Sequence, residues 1–200
     1  MPKTLYLLRH AWPDYPGGER LCLGRRMDLP LGVRGFAQTE ALTKAFENIP
    51  LDRVYASPLL RTRQTAQALT KGQVILLEEL IELDGGVWDG QLFRKIREEY
   101  PEFFLPDAPG MVPPGGEPDE DGAARGMKAL DIMASAPGET IAAVSHASMN
   151  RLILSSIMGR PLCMNKTIEQ DYACVNVLTY DGKTWQVEKT GLDVLRDPLN

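Results

Sequence analysis

Histidine is scarce in this chain, cysteine is scarce and unpatterned, and positive charge is in deficit. The 200 residues include two histidines and three cysteines, and 22 Lys+Arg stand against 27 Asp+Glu, for a formal net charge of −5. That acidic balance argues against sequence-independent binding to nucleic acid, while leaving room for a local basic pocket. Cys22, Cys163 and Cys174 are odd in number and lack C-x-x-C spacing, so no disulfide or thiolate zinc site is expected and all three read as reduced packing residues. No apolar run approaches the roughly 18 residues that span a bilayer, and no basic stretch leads into a signal-like apolar segment. The expectation is a soluble, cytoplasmic protein with neither membrane nor nucleic-acid partner. Hydrophobic content of 44% and charged content of 24% fit one ordinary globular domain over residues 1–200.

What is present is informative because of where it falls. His10 closes the apolar run from Thr4, and His146 closes the run from Thr140. Each run has strand length, and each is followed by a stretch able to turn into a helix. In open α/β sheets ligands gather outside the carboxyl ends of the strands, so both imidazoles fall where chemistry is usually done.

The rest of the chain alternates in the same way. A loop rich in Pro, Gly and Arg runs from Trp12 to Gly32. Leu42, Ala45, Phe46 and Ile49 recur at helical spacing, and Pro50 stops that helix. Asp52 to Ser57 reads as a strand, followed by a helix from Leu59 to Leu69 with Pro58 at its first turn. Val74 to Leu77 reads as a buried strand, and Gln91 to Tyr100 as a short helix ending at Pro101. The stretch Pro106 to Asp121 is too irregular to pack as an element, and a lid or surface excursion is expected over about 91–121. Helices are expected over Glu120 to Met133 and Ser148 to Met158. Cys174 to Tyr180 and Thr184 to Lys189 flank Asp181-Gly182 as a hairpin. The fold class is therefore α/β: a three-layer sandwich, with a mostly parallel central sheet, helices on both faces and an antiparallel edge near the C-terminus.

Three clusters could carry chemistry. Arg9 beside His10 offers a cation and a ring nitrogen able to attack or move a proton; alone, the pair is more simply read as a capped, satisfied surface histidine. Ser57 to Ala66 starts a helix at a strand end with Arg61 in its first turn, where free N–H groups and a guanidinium favour an anion; an exposed basic face is the plainer account and fits Arg63 better. Leu80 to Gly90 places Glu82, Asp84 and Asp89 among glycines. One of them could be a general acid if burial keeps it protonated, although by itself the segment is only a Gly-rich acidic turn.

Together these segments resemble the histidine phosphatase, or phosphoglycerate mutase-like, superfamily. The matching pieces are Leu8-Arg9-His10, Gly24-Arg25 through Asp28-Leu29-Pro30-Leu31 with Gly35 and Gln38, Ser57-Pro58-Leu59 with Arg61 and Thr65-Ala66, Glu82 with Gly86, Trp88 and Gly90, and Val144-Ser145-His146. They fall in the family's order from residue 4 to about 158. The resemblance implies a phosphoric monoester hydrolase acting on a small phosphorylated substrate, with no metal and no cofactor. It implies His10 as the nucleophile that becomes phosphohistidine, with Arg9, Arg61 and His146 around the phosphate. Glu82 is implied as the acid that protonates the leaving oxygen, with Asp84 as the alternative two residues on.

Two guanidiniums and an imidazolium at His146 would then neutralise the phosphate, while His10 must stay neutral, one ring N–H held by an acceptor such as a backbone carbonyl. Arg25 and Trp12 are candidate substrate contacts, Tyr15 and Trp88 candidate pocket walls, and Arg151 reads as structural. The sequence departs from the family at Ala11 and Ala147, where glycine is usual, and alanine excludes backbone conformations open to glycine. α-Ribazole phosphatase is a specific reading, while phosphoglycerate mutase-type transfer and a non-catalytic phosphate-binding regulator are alternatives. Oligomeric state is open, a homodimer included.

Overall fold

Four apolar runs, each too short for a helix and rich in Val, Leu, Ile or Ala, pair side by side at the centre of the molecule. The structure, a computed structural model, describes residues 1–105, 112–197 and 199. Strands β1 (Lys3–Arg9), β2 (Arg53–Ala56), β3 (Val74–Leu76) and β4 (Thr140–Ser145) are joined through helices α1 (Val33–Ala45), α2 (Leu60–Gln67), α3 (Phe93–Glu99) and α4 (Asp119–Ser135). Helix α5 (Ala147–Met158) follows β4, and the chain ends on the hairpin β5 (Val175–Tyr180) and β6 (Trp185–Leu192). The sheet order is β3-β2-β4-β1-β5-β6. The first four strands in that order are mutually parallel, and β5 and β6 are antiparallel additions beside β1.

Alternation along the central strands feeds two cores. Leu5, Leu7, Ile141 and Ala143 face one layer with Leu130 and Met133 of α4 and Met149 and Ile153 of α5. Tyr6, Leu8, Ala142 and Val144 face the other with Leu42 of α1 and Ala66 of α2. Strands buried on both faces need no polar alternation, which is why β1 and β4 read as unbroken apolar runs.

Several boundaries differ from expectation for physical reasons. α1 stops at Ala45 with Phe46 as its C-cap, where Phe46 turns its ring against Tyr6, 5.1 Å between centroids, and Pro50 keeps the following turn from resuming the helix at Ile49. β3 is an edge strand, half exposed rather than buried. α2 begins at Leu60, with Pro58 outside it. Only Cys174 packs in the core; Cys163 is exposed and Cys22 is half buried. Residues 106–111 of the expected excursion lie outside the described residues. Among the described residues no helix is long and apolar enough to cross a membrane.

Candidate active site

Strand pairing alone brings three functional side chains together. β1 and β4 are neighbours in parallel register with Arg9 opposite Ser145, so the next residues, His10 and His146, leave the sheet side by side. Their rings lie 5.2 Å apart between centroids, meeting edge to face. β2 flanks β4 on the other side, which delivers Ser57 to His146 with Oγ 2.8 Å from Nε2. His10 and His146 are 4% and 0% exposed, so both are enclosed by protein rather than presented on the surface.

The protonation of His10 follows from its partner. Nδ1 lies 2.8 Å from the Ala11 carbonyl oxygen, which can only accept, so Nδ1 carries the proton and Nε2 keeps its lone pair. Burial, then the charges of Arg61 and Arg9, push the imidazole well below the usual histidine range against the pull of that carbonyl. His10 is thus a neutral base with its free nitrogen fixed in place. His146 is lowered as well, by burial first and then by Arg61, His10 and Arg9. Burial and these neighbouring positive groups disfavour the charged form of His146. The Leu59 N–H donates to Ser57 Oγ, 3.4 Å, so the hydroxyl proton is free for Nε2, and in that tautomer Nδ1 is a donor.

Three buried nitrogens around His10 have no hydrogen-bond partner: Arg9 Nε, Arg61 Nε and His146 Nδ1. A buried donor left unpaired costs about 1–3 kcal/mol, a cost that an acceptor group bound beside these three would remove. The two arginines are held by carbonyls rather than carboxylates. Arg9 Nη1 donates to Gln170 O, 2.6 Å, and its guanidinium lies 3.5 Å over the Tyr172 ring. Arg61, fully buried, donates to Met27 O at 2.7 Å and more weakly to Gly24 O at 3.3 Å. Among the described residues neither guanidinium forms an ion pair, although the charges of Glu82 and Asp28 reach Arg61. The N-terminus of α2, in contrast, is not a free anion site, because Asp28 Oδ1 accepts from the Leu60 N–H at 2.6 Å.

Glu82 sits on the first turn of α5. Its Oε1 accepts from the Leu83 and Met149 N–H groups at 3.0 and 3.1 Å, and Oε2 from Ser148 N–H at 3.3 Å. An acidic side chain suits the positive end of a helix, and Glu82 lines the same cavity as His10. Asp84 is engaged elsewhere. Burial pulls its carboxyl up, but the Gly86 N–H and Arg26 outweigh that and hold it below the ordinary range; the Arg26 contact is 3.0 Å. Of the two alternatives, Glu82 is the one free of a salt bridge among the described residues.

The cavity has a volume of about 510 Å³. Arg9, His10, Glu82 and Tyr172 line it together with an aromatic wall of Trp88, Phe93, Phe103 and Phe104, in which Trp88 meets Phe103 and Phe93 meets Phe104 edge to face. Tyr15 lines it, and so does Trp88, for which packing of the turn that carries Glu82 was the simpler expectation. Trp12 does not: its ring packs edge-on against Tyr15 and Tyr172, a layer behind the wall. Arg25 is drawn away into an ion pair with Glu117, which also takes Arg125 at 2.9 Å. Arg151, read as structural, does line the cavity while its Nε holds Ile168 O.

Tyr172 and Gln170 escaped the sequence reading. They sit in a loop before β5 with no periodicity to betray them, on a turn where Ala173 is the one non-glycine residue with positive φ (64°) among the described residues. Such strain persists where surrounding bonds impose it; here the Ala173 N–H donates to His10 O at 3.2 Å. Ala11 and Ala147 carry no such strain, so the two departures from glycine are tolerated by the backbone. Ala11 instead ties its N–H to Thr65 Oγ1 at 3.0 Å. Among the described residues no group of three or more His, Cys, Asp or Glu side chains is placed to hold a metal ion.

Comparison with known proteins places this geometry. A family model described as histidine phosphatase superfamily (branch 1) matches residues 5–193. Phosphoserine phosphatase 1 of Hydrogenobacter thermophilus is 36% identical over 104 residues, covering 50% of this chain and 48% of the relative, so the chain matches about half the length of that protein. A mycobacterial glucosyl-3-phosphoglycerate phosphatase solved with VO3 superposes with a TM-score of 0.84 at 23% identity, covering 96% of this chain and all of that one. The α-ribazole phosphatase of Shigella flexneri gives 0.80 at 21% identity, over 94% and 96% of the two chains. At these identities the two structures show a shared fold.

Proposed function

The chain belongs to branch 1 of the histidine phosphatase superfamily, and from that premise we propose that it hydrolyses a small phosphorylated metabolite, without a metal, through a phosphohistidine at His10. The observation that carries this reading is the neutral His10, its Nδ1 fixed on Ala11 O, facing buried N–H groups of Arg9, Arg61 and His146 that lack partners.

In the first half-reaction His10 Nε2 attacks phosphorus. The N–P bond forms as the ester P–O bond breaks, and Glu82 in its protonated form passes a proton to the leaving oxygen. Arg9, Arg61 and His146 Nδ1–H hold the three equatorial oxygens, where charge gathers in transfer. In the second half-reaction water attacks the phosphohistidine, Glu82 takes its proton, and phosphate leaves as Nε2 regains its lone pair. Two guanidiniums supply the neutralisation that a divalent cation provides in other phosphatases. α-Ribazole 5′-phosphate is one member of the substrate class, supported by the Gly24-Arg25 to Leu31 segment and by an aromatic wall suited to a heteroaromatic group.

The test is p-nitrophenyl phosphate hydrolysis from pH 5 to 8 in excess EDTA, with detection of the phosphoenzyme by mass spectrometry or 31P NMR kept at neutral to alkaline pH, because the P–N bond of phosphohistidine is labile in acid. Wild type should turn over and carry a phosphoryl group on His10. His10→Ala should lose activity by at least about a thousandfold and carry none. Equal turnover in the variant would remove His10 from its role, and loss of wild-type turnover in EDTA would remove the metal-free reading.

A further inference from the structure

The proposed mechanism leaves Arg151 unused, although it lines the cavity beside the phosphate site. Its Nε donates to Ile168 O at 2.9 Å, which fixes the guanidinium but leaves the terminal nitrogens free of any bond among the described residues. No carboxylate there lies within ion-pair distance of it. The acids of the cavity are committed: Asp84 to Arg26, Glu117 to Arg25 and Arg125, Asp119 to Asn165 at 3.0 Å, and Glu82 to the first turn of α5. Burial, then the nearby charge of Arg9, disfavour the Arg151 cation, outweighing the charges of Glu82 and Asp171 that favour it.

Lys166 shares that wall and that situation. Its Nζ lies 3.4 Å from the Phe103 ring centroid and donates to Phe103 O at 2.7 Å, again without an ion pair. Burial first, and then the charge of Arg151, disfavour the Lys166 cation against the pull of Asp119, so the two cations lie near each other. A cavity that gathers unpaired cations in a protein of net charge −5 is unfavourable when empty and is relieved by an anion. The scissile phosphate already has donors in Arg9, Arg61 and His146, and 510 Å³ leaves room well beyond it.

We propose that Arg151, with Lys166, binds a second anionic group on the alcohol portion of the substrate, so that the enzyme selects phosphomonoesters whose leaving group is itself negatively charged. This rests on the hydrolase reading and narrows it. It favours esters bearing a carboxylate or a second phosphate over α-ribazole 5′-phosphate, whose alcohol is a neutral nucleoside.

Two matched pairs test it: glycerol 3-phosphate against 3-phosphoglycerate, and fructose 6-phosphate against fructose 1,6-bisphosphate. Wild type should prefer the more anionic member of at least one pair by about tenfold or more in kcat/KM, carried mostly in KM, as expected for one charge-assisted contact. The pair that shows the preference tells carboxylate from phosphate. Arg151→Met should reduce the preference to within about threefold, with Arg151→Lys restoring part of it, and Lys166→Met should reduce it more mildly.

No preference in either pair overturns the proposal. So does an Arg151→Met variant that loses both members of a pair equally, because the residue would then serve the scissile phosphate or the fold. If Arg151→Met does not fold, by circular dichroism and Tm, Lys166→Met decides: an unchanged preference there overturns the proposal. Failure of wild type to hydrolyse p-nitrophenyl phosphate would sink the hydrolase reading, whereas hydrolysis without anion preference sinks this inference only.

Discussion

Glu82 holds its oxygens against three backbone N–H groups, a geometry that Gln can largely reproduce without being able to exchange a proton. Glu82→Gln should therefore fold, and should lose about 10²–10⁴ in kcat on an alkyl phosphate. On p-nitrophenyl phosphate, whose phenolate leaves unprotonated, the loss in the first half-reaction should be far smaller. An equal loss of phosphoenzyme formation on both esters, read by rapid quench, would reduce Glu82 to a shaping role. Asp84→Asn should leave the ratio between the two esters unchanged, because Asp84 is engaged with Arg26 and Gly86.

The site was legible where a residue ended a strand or opened the helix after it, as Arg9, His10, His146 and Arg61 do, whereas Ser57 was read only as part of a motif and not as the partner of His146. It was illegible where irregular backbone made the contact. Nothing in Glu169-Gln170-Asp171-Tyr172 announces that a carbonyl and a ring from that loop hold Arg9. Arg25 and Trp12 were overread for the converse reason, since a loop motif does not say which way its side chains turn.

Among the elements, α5 does most to shape the site, because its first turn begins at His146, receives Glu82 and carries Arg151. Its position is set by close packing against α4. A Cβ on Gly126 would lie 2.6 Å from Ile153 Cγ1 and 2.8 Å from Met149 Sδ, distances that real side chains do not reach. Gly126→Val should push the two helices apart at a cost of about 1–3 kcal/mol, which for a chain of this size lowers Tm by roughly 2–12 °C. Met149 also supplies an N–H to Glu82, so kcat on an alkyl phosphate should fall in the same variant. Unaltered Tm and kcat would show that α5 has slack there.

The central strands and the terminal hairpin were readable from composition and from Asp181-Gly182, because both signals are local. The edge position of β3 was not, since a short aliphatic run looks the same with one neighbour or two. Likewise the end of α1 depended on where the Phe46 ring finds Tyr6, which no helical periodicity contains.

At the scale of the whole molecule, two neutral imidazoles enclosed at the carboxyl ends of the central strands link stability to pH. In the unfolded chain each takes up a proton as the pH falls through about 6.5, while in the folded protein burial and the neighbouring arginines keep both neutral until well below that. Protons therefore favour the unfolded state, and stability is lost progressively as pH falls below 6.5, by up to about 1.4 kcal/mol per pH unit for each histidine. Glu117 and Asp84, held low by arginines and, for Asp84, also by the Gly86 N–H despite their burial, add their losses only nearer the carboxylate range. Asp89 and Asp119, raised by burial, act in the opposite sense. A difference between variants isolates the histidines from these carboxyls. Urea unfolding at pH 7, 6 and 5 should show wild type losing stability with acid, and His10→Asn should lose roughly half of the histidine part of that slope. Inorganic phosphate should raise stability by binding the folded state and flatten the slope, because an anion beside His146 Nδ1 favours its protonated form. An acid slope that His10→Asn leaves untouched would mean that His10 titrates alike in both states, and a buried neutral nucleophile would then lose its physical basis.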